Sequence, residues 1–290
     1  MEQNAPLPLS NRRLTNPKTE DIHMKKWLMI LLALAIALIP ALSLAPAALA
    51  DDQVGSFLPL DPEDYPKPVT HFPLGLDESE PVDQKYWNDA VFIGDSITLK
   101  LQRYVTERRN AGEECLGRAK FLTAGSLGSG NALWDVNGES VHPSYQGETM
   151  RIEKAVELMD AQKVYIMLGM NDVAYYGIEE SIENMKQLIA LILERQPSAK
   201  IFIQSATPRI AASKSKPTNR MLFDYDLLLY NACVENGWSF VDVAYVMRDE
   251  NGCLFDSYCS DPEDMGMHFT DEGCEAWIDY LTTHAKGASK

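Results

Sequence analysis

Three short polar motifs that could take part in acyl transfer follow one another along the chain of 290 residues. They are Gly94–Asp95–Ser96, Gly169–Met170–Asn171–Asp172 and Gly266–Met267–His268. A serine hydroxyl can attack a carbonyl carbon once a histidine takes its proton, and an amide can donate a hydrogen bond to the oxyanion that forms. These residue types in this order predict Ser96 as a nucleophile and His268 as its base.

The residues around Ser96 predict a strand that leads directly into a helix. Val91–Ile93 is a short apolar run, rich in strand-forming residues, that ends at Gly94. After Ser96 the apolar residues recur at helical spacing, so the serine falls in a turn where helix N–H groups are free to bind an anion. Taken alone, the tripeptide has a second interpretation, in which Asp95 or Ser96 only caps the helix.

Strand and helix patterns alternate through the chain. The predicted strands are Val91–Ile93, Lys120–Thr123, Val164–Leu168, Ile201–Ser205 and Phe240–Val243. The predicted helices are Ile97–Arg109, Thr149–Ala161, Ser181–Gln196 with Ser181 as N-cap, Asn219–Asn236 and Thr270–His284. Such alternation predicts a parallel sheet with helices on both faces. The motif residues follow strands, and therefore lie at the carboxyl edge of the sheet, where open α/β folds bind ligands.

The three ordered motifs resemble those of the SGNH (GDSL-type) hydrolase family, over roughly residues 89–285. The resemblance implies a flavodoxin-like three-layer α/β/α sandwich with a mainly parallel five-stranded sheet. It also implies three oxyanion-hole donors: the backbone N–H of Ser96, the side-chain amide of Asn171 and the backbone N–H of a glycine after the second strand. Gly128 aligns best with that glycine, and Gly125 is the alternative.

The acidic member of the site departs from the family pattern. The family places an aspartate three residues before the histidine, where this chain has Met265. Asp264 is the nearest carboxylate, and a bulge at Gly266 would bring it to the ring of His268. We therefore expect Asp264 to complete a triad and Asp261 to matter little; the alternative is a Ser–His dyad.

No metal or cofactor is expected. The cysteines show no metal-ligand spacing, although Cys253 and Cys259 are close enough in sequence for a disulfide. Gly125–Gly130 lacks the glycine pattern of a nucleotide-binding loop. His142, in a loop rich in glycine, serine and asparagine, is interpreted as a solvated histidine.

The first 88 residues show no candidate catalytic motif, and part of this stretch indicates export. Residues 1–23 are polar and indicate a wrongly assigned upstream start. Residues 24–50 combine two lysines, an apolar run and Ala48–Leu49–Ala50, which is typical of a signal peptide cleaved before Asp51. Residues 51–88 form a proline-rich linker or strap, and 89–290 the hydrolase domain. We expect a secreted or extracytoplasmic protein without stable membrane association after cleavage; an uncleaved segment would anchor it.

Charge and loop composition narrow the expected partners. The net charge of −16 argues against nucleic acid. Trp134, Tyr145, Tyr175 and Tyr176 fall in loops at the active edge, where aromatic rings could stack on sugars. The leading hypothesis is a secreted serine esterase that removes short acyl groups, acetyl above all, from a small-molecule, carbohydrate or cell-envelope ester. The alternatives are a lipase or lysophospholipase of the same family and a catalytically silent binding module.

Overall fold

The computed structural model describes residues 73–286. The strands are β1 (Ala90–Gly94), β2 (Lys120–Thr123), β3 (Ser144–Tyr145), β4 (Glu148–Thr149), β5 (Lys163–Met167), β6 (Lys200–Gln204) and β7 (Ser239–Val241). The α-helices are α1 (Ser96–Asn110), α2 (Ile152–Met159), α3 (Val173–Tyr176), α4 (Ile178–Arg195), α5 (Asn219–Asn236), α6 (Ala244–Met247) and α7 (Asp271–Thr283). The predicted upstream start, the signal peptide and most of the linker lie outside the described residues.

The main sheet is parallel, with strand order β2-β1-β5-β6-β7. The chain moves from β1 outward to β2, then crosses back to β5 on the other side of β1. This reversal is the switch point at which open α/β sheets bind ligands, and the loops that follow β1 and β5 meet there. The predicted strands agree with those observed to within two residues at each end.

Helices cover both faces of the sheet. Right-handed crossovers place α1 on one face and the helices between later strands on the other. In agreement, α4 packs between α2 and α5, whereas α7 packs beside α1. The predicted flavodoxin-like α/β/α sandwich is confirmed.

A row of aromatic rings runs across one face of the sheet. Phe121, Phe92, Tyr165 and Phe202 occupy paired positions on four adjacent strands. Their ring centroids lie 5.4, 4.9 and 4.4 Å apart along the row. Fully buried Trp87 packs on Phe92 and Tyr165. Burial of these rings stabilises the central strands, and with them the loops at the strand ends.

Residues 73–88, the described part of the proline-rich segment, lie along the domain. The N–H of Leu76 donates to the carbonyl of Phe240 on β7, and the N–H groups of Ser79 and Val82 donate to carbonyls at the end of α7. This part of the segment therefore covers the edge of the sheet at β7. Within residues 73–286, no helix has both the length and the apolar character needed to cross a bilayer.

Local features differ from the prediction at two helices and one hairpin. The helix expected over Thr149–Ala161 is α2, which begins only at Ile152 because Thr149 pairs with Ser144 in the β3–β4 hairpin. Helix α4 begins at Ile178 rather than after Ser181, because Gly177 adopts a φ of +81° and turns the chain one turn earlier. The Ser181 hydroxyl consequently lies inside the helix and donates to the carbonyl of Gly177 at 2.5 Å. The short β3–β4 hairpin was not predicted, since two-residue strands carry no periodic signal.

Candidate active site

Ser96 occupies the first position of α1, immediately after the buried strand β1. Asp95 caps the helix by accepting a hydrogen bond from the N–H of Ile97 at 2.9 Å. Gly94 is required at the turn, because a Cβ there would lie 2.0 Å from the Thr98 hydroxyl oxygen. The result is a partly exposed serine at a helix N-terminus, with a backbone N–H that has no partner within the helix.

His268 lies against Ser96 at the carboxyl edge of the sheet. Its Nε2 is 2.9 Å from the hydroxyl oxygen of Ser96. The other ring nitrogen, Nδ1, is 2.7 Å from Oδ2 of Asp261. The two residues that the sequence predicts as nucleophile and base are thus brought together from positions 172 residues apart.

The carboxylate behind His268 belongs to Asp261, so the prediction that Asp264 holds the ring is wrong. Asp264 is exposed, and no hydrogen bond joins it to His268 among the described residues. The chain between Asp261 and His268 folds back on itself: the N–H groups of Asp264 and Gly266 both donate to the Asp261 carbonyl at 3.0 Å. Gly266, with a φ of +65°, makes this reversal without strain. The bulge expected at Gly266 is therefore a complete loop that brings an earlier aspartate to the ring.

Hydrogen bonds hold Asp261 in its ionised form. Its Oδ1 accepts from the N–H groups of Met267 (3.0 Å) and His268 (2.9 Å), and from the thiol of Cys259 (3.4 Å). Burial alone would raise the pKa of Asp261, but the bonds from His268 and Met267 outweigh it and lower the pKa. An ionised Asp261 accepts a hydrogen bond from the Nδ1–H of the neutral imidazole, and this tautomer leaves the Nε2 lone pair facing the Ser96 hydroxyl.

Asn171 is tied to Asp95 across the switch point. Its Nδ2 donates at 3.0 Å both to Oδ2 of Asp95 and to the carbonyl of Leu127. The structure therefore places the predicted oxyanion donor beside the Ser96 turn, with both amide hydrogens engaged. Burial raises the pKa of Asp95 to about 6, although the N–H of Ile97 and the charge of His268 lower it.

Asp172 organises the glycine-rich loop that follows β2, a role that the sequence did not indicate. Its carboxylate accepts from the N–H groups of Ser129 (2.9 Å) and Gly130 (3.0 Å). Gly128 packs so closely that a Cβ there would lie 2.5 Å from the same carboxylate. The signal that could have revealed this role is the acidic residue directly after Asn171, since exposed backbone N–H groups of a glycine loop attract a carboxylate.

The prediction of Gly128 as an oxyanion donor requires correction. The N–H of Gly128 already donates to Oδ1 of Asn131 at 2.8 Å, within its own loop. Gly125, the alternative, is exposed in the turn that the N–H of Leu127 closes on Ala124. No acceptor for the Gly125 N–H occurs within residues 73–286.

His142, in the loop after β2, differs from expectation, whereas the aromatic residues expected at the active edge are exposed to different extents: Trp134 lies in the same loop, and Tyr175 and Tyr176 lie on α3 after β5. His142 is buried, not solvated, and its Nε2 lies 3.1 Å from the carbonyl oxygen of Trp134. Arg151 donates to the same carbonyl at 3.2 Å, so the backbone of Trp134 is fixed while half of the residue is exposed. Tyr175 is 79% exposed, whereas Tyr176 packs over Gly130.

Within residues 73–286, the cysteines form no disulfide and the cysteine, histidine and acidic side chains form no cluster that could hold a metal ion. All five cysteines fall within the described part of the chain and are free thiols, so Cys253 and Cys259 are not joined. Among residues 73–286, no group of three or more potential metal-binding side chains is close enough to hold an ion.

Comparison with known protein families matches the sequence of this chain to one of them. Residues 92–276 match the model of the GDSL-like lipase/acylhydrolase family, which is more than half of the chain. No curated protein matches the sequence significantly.

Solved structures that match this chain include a GDSL-like lipase and a mutant of an acetylxylan esterase. One is a GDSL-like lipase from Bacteroides thetaiotaomicron, with 18% identity and a TM-score of 0.47, covering 70% of this chain and 89% of that one. Another is a catalytic mutant of an acetylxylan esterase from Geobacillus stearothermophilus, with 17% identity and a TM-score of 0.47, covering 74% and 97%.

Replacing each of the two candidate aspartates by alanine tests which of them is the acid partner of His268. Removing the aspartate of a serine-protease triad lowers kcat by about 10⁴-fold, and we expect a loss of similar order for Asp261→Ala. Asp264→Ala, a matched substitution three residues away on the same loop, should retain almost full activity because its carboxylate faces solvent. Steady-state hydrolysis of p-nitrophenyl acetate by both variants measures this; equal losses would contradict the assignment.

The buried Asp95 predicts a pH dependence of stability. Its folded pKa of about 6 lies above the ordinary 3.8, so the folded state holds the Asp95 proton more tightly than the unfolded state. The contribution of Asp95 to the free energy of unfolding must therefore fall as pH rises from about 4 to about 6, by up to about 3 kcal/mol. Asp95→Asn removes this titration, so its stability relative to the wild type should increase over that range. Urea unfolding of both proteins between pH 4 and pH 7 checks the sign, and a constant difference would refute it.

Proposed function

The chain belongs to the GDSL-like lipase/acylhydrolase family, and we propose that it is a serine esterase that removes short acyl groups, acetyl above all, from a carbohydrate or cell-envelope substrate. One observation carries the proposal. The hydroxyl of Ser96, the ring of His268 and the carboxylate of Asp261 form a continuous line of two hydrogen bonds, 2.9 and 2.7 Å long. This arrangement is what acyl transfer through a serine requires.

In the proposed mechanism, Ser96 Oγ attacks the ester carbonyl carbon while His268 Nε2 takes the hydroxyl proton. The tetrahedral intermediate collapses, the C–O bond to the alcohol breaks, and His268 returns the proton to the departing alcohol oxygen. Water then attacks the acyl-serine with His268 again as base, which releases the carboxylic acid and restores Ser96. Asp261 keeps the imidazole oriented and stabilises its positive charge in both steps.

The oxyanion needs donors that are not already engaged. The N–H of Ser96, at the first position of α1, is the first of them. The exposed N–H of Gly125 is the second, because that of Gly128 is used within its own loop. Asn171 is the exception: both of its amide hydrogens are engaged in the free protein, and it becomes a third donor by turning towards the oxyanion the hydrogen that it now donates to the carbonyl of Leu127.

The surface next to the site supports a carbohydrate rather than a long acyl chain. Three aliphatic side chains of the segments that follow β2 and β5 are buried in the core: Leu127, Met170 and Val173. Apart from Val136, the large apolar side chains exposed in the loop after β2 and on α3 are Trp134 and Tyr175, and Met265 is partly exposed in the loop that carries His268. Aromatic rings with polar edges can pack on the C–H face of a pyranose, whereas an acyl chain is better matched by an aliphatic groove.

We also propose that the enzyme acts outside the cytoplasm after cleavage of residues 24–50. The proposal rests on the signal-peptide pattern alone, because these residues lie outside the described part of the chain.

Acyl-chain selectivity separates the candidate functions. We expect hydrolysis of p-nitrophenyl acetate to exceed that of the octanoate, and Ser96→Ala to lose almost all activity because the nucleophile is gone. Preference for octanoate would favour the lipase alternative. Absence of turnover in the wild type would favour a binding module. Full activity in Ser96→Ala would refute the mechanism.

The same assay with acetylated xylo-oligosaccharides tests the substrate class. Trp134→Ala and Tyr175→Ala should raise KM for the oligosaccharide by about 10-fold, as expected for loss of one ring contact of 1–2 kcal/mol, and leave p-nitrophenyl acetate unaffected. Leu158→Ala removes a similarly exposed apolar side chain from α2 and serves as the matched control. Unchanged KM in both aromatic variants would contradict the carbohydrate assignment.

A further inference from the structure

Arg209 is a buried arginine in the loop that follows β6, only 3% exposed. Its guanidinium donates to three carbonyl oxygens: Nε to Pro217 at 3.0 Å, Nη2 to Lys216 at 3.0 Å and Nη1 to Met265 at 2.7 Å. Met265 belongs to the segment between Asp261 and His268. A single planar side chain therefore joins the loop before α5 to the loop that carries the base and its acid.

Further contacts from the same segment support the Asp261–His268 loop from behind. The N–H of Ile210 donates to the carbonyl of Gly266 at 2.9 Å. The hydroxyl of Ser213 donates at 3.0 Å to the same Met265 carbonyl that Arg209 binds. Gly266 rests on Ile210 so closely that a Cβ would lie 2.7 Å from its Cγ1. The centre of the loop is thus held at two adjacent carbonyls.

The backbone of Arg209 is fixed as firmly as its side chain. Asn219 brackets it, accepting from the Arg209 N–H at 2.8 Å and donating to its carbonyl at 2.9 Å. The N–H of Leu254 donates to that carbonyl as well. Because hydrogen bonds hold both the backbone and the side chain of Arg209, its guanidinium holds the carbonyl of Met265 in a fixed position.

The charge of Arg209 also reaches Asp261. Burial lowers the pKa of the guanidinium, and the negative charge of Asp261 offsets part of that lowering. The three acceptors of the guanidinium are carbonyls rather than carboxylates. A buried charge held by carbonyls alone costs free energy that an apolar side chain of the same size would not, which suggests a role beyond packing.

We propose that Arg209 is a positioning residue of the esterase, which holds the loop at Met265 so that Asp261 and His268 keep the geometry needed to activate Ser96. The role rests on the proposed function and extends it to a residue that touches neither substrate nor the reacting atoms. Displacing a catalytic group by about 1 Å can cost about 10²-fold in rate, so support from behind the loop is enough to matter.

Kinetics of three substitutions test the role. Arg209→Met keeps the length of the side chain without its charge and donors, and should lower kcat about 10- to 100-fold with KM within about threefold. Arg209→Lys keeps the charge but can donate to fewer of the three carbonyls, so its kcat should fall less than that of Arg209→Met. Ser213→Ala removes one hydrogen bond to Met265 without changing the charge. Its kcat should fall about threefold, because a neutral hydrogen bond contributes little net free energy.

Arg248→Met provides the matched control. Arg248 is another largely buried arginine, but it lies 3.4 Å from Asp242 beside the end of β7. Its loss should lower the melting temperature without lowering kcat. An equal fall in kcat for Arg248→Met and Arg209→Met would show that kcat follows global stability, and would overturn the proposal.

A second readout requires no substrate. The Nδ1 proton of a histidine bonded to a carboxylate gives a far-downfield proton NMR signal, which can be assigned to His268 by its absence in His268→Ala. The signal should disappear or shift in Arg209→Met and persist in Arg248→Met. Because it is read in the free enzyme, this test remains valid even if the proposed esterase activity fails.

The outcomes are decisive in each case. A folded Arg209→Met with wild-type kcat and an unmoved signal would refute the positioning role. If Arg209→Met does not fold, Arg209→Lys and Ser213→Ala decide: shifted signals with reduced kcat support the role, and unchanged values in both refute it.

Discussion

Buried and half-buried aspartates that accept hydrogen bonds from backbone N–H groups hold the loops at the carboxyl edge of this sheet. Asp95 binds the first turn of α1, Asp172 binds the glycine-rich loop after β2, and Asp261 binds the segment that ends at His268. Asp226 and Asp242 do the same for Ala206, after β6, and for Leu74 in the covering segment. Loops have no ladder of their own, and a carboxylate satisfies several N–H groups at once.

The pKa of one of these five carboxylates shifts in the opposite direction to the pKa of the other four. Burial raises the pKa of Asp95, Asp172, Asp226 and Asp242, so that their contribution is to hold loops at some cost in stability. Asp261 is less buried, so the hydrogen bonds from His268 and Met267 outweigh the effect of burial and its pKa is lowered instead. A reliably ionised carboxylate behind the imidazole is what an acyl-transfer base needs, because it favours the imidazolium that forms during attack.

Local sequence patterns were sufficient to predict the fold and the meeting of Ser96 with His268. The strands, α5 and the Thr270 cap of α7 follow from periodicity and capping chemistry, and the order of the motifs brings Ser96 to His268. The acid was missed because its position depends on a reversal at Gly266 and on support from Arg209, more than 50 residues earlier, which no local pattern encodes. Likewise, the engagement of the Gly128 N–H by Asn131 depends on how the loop folds around Asp172. Spacing taken from a family is least dependable where a loop, rather than a strand or helix, sets the distance.

Covalent labelling shows whether Asp261, His268 and Ser96 act as one unit on the serine hydroxyl. A fluorophosphonate reacts with a serine oxygen only when a base removes its proton, and peptide mass spectrometry identifies the modified residue. We expect modification at Ser96 alone, with a rate that is nearly unchanged in Asp264→Ala and falls by orders of magnitude in Asp261→Ala and His268→Ala. Modification of another serine, or an unchanged rate of labelling in Asp261→Ala, would contradict the account.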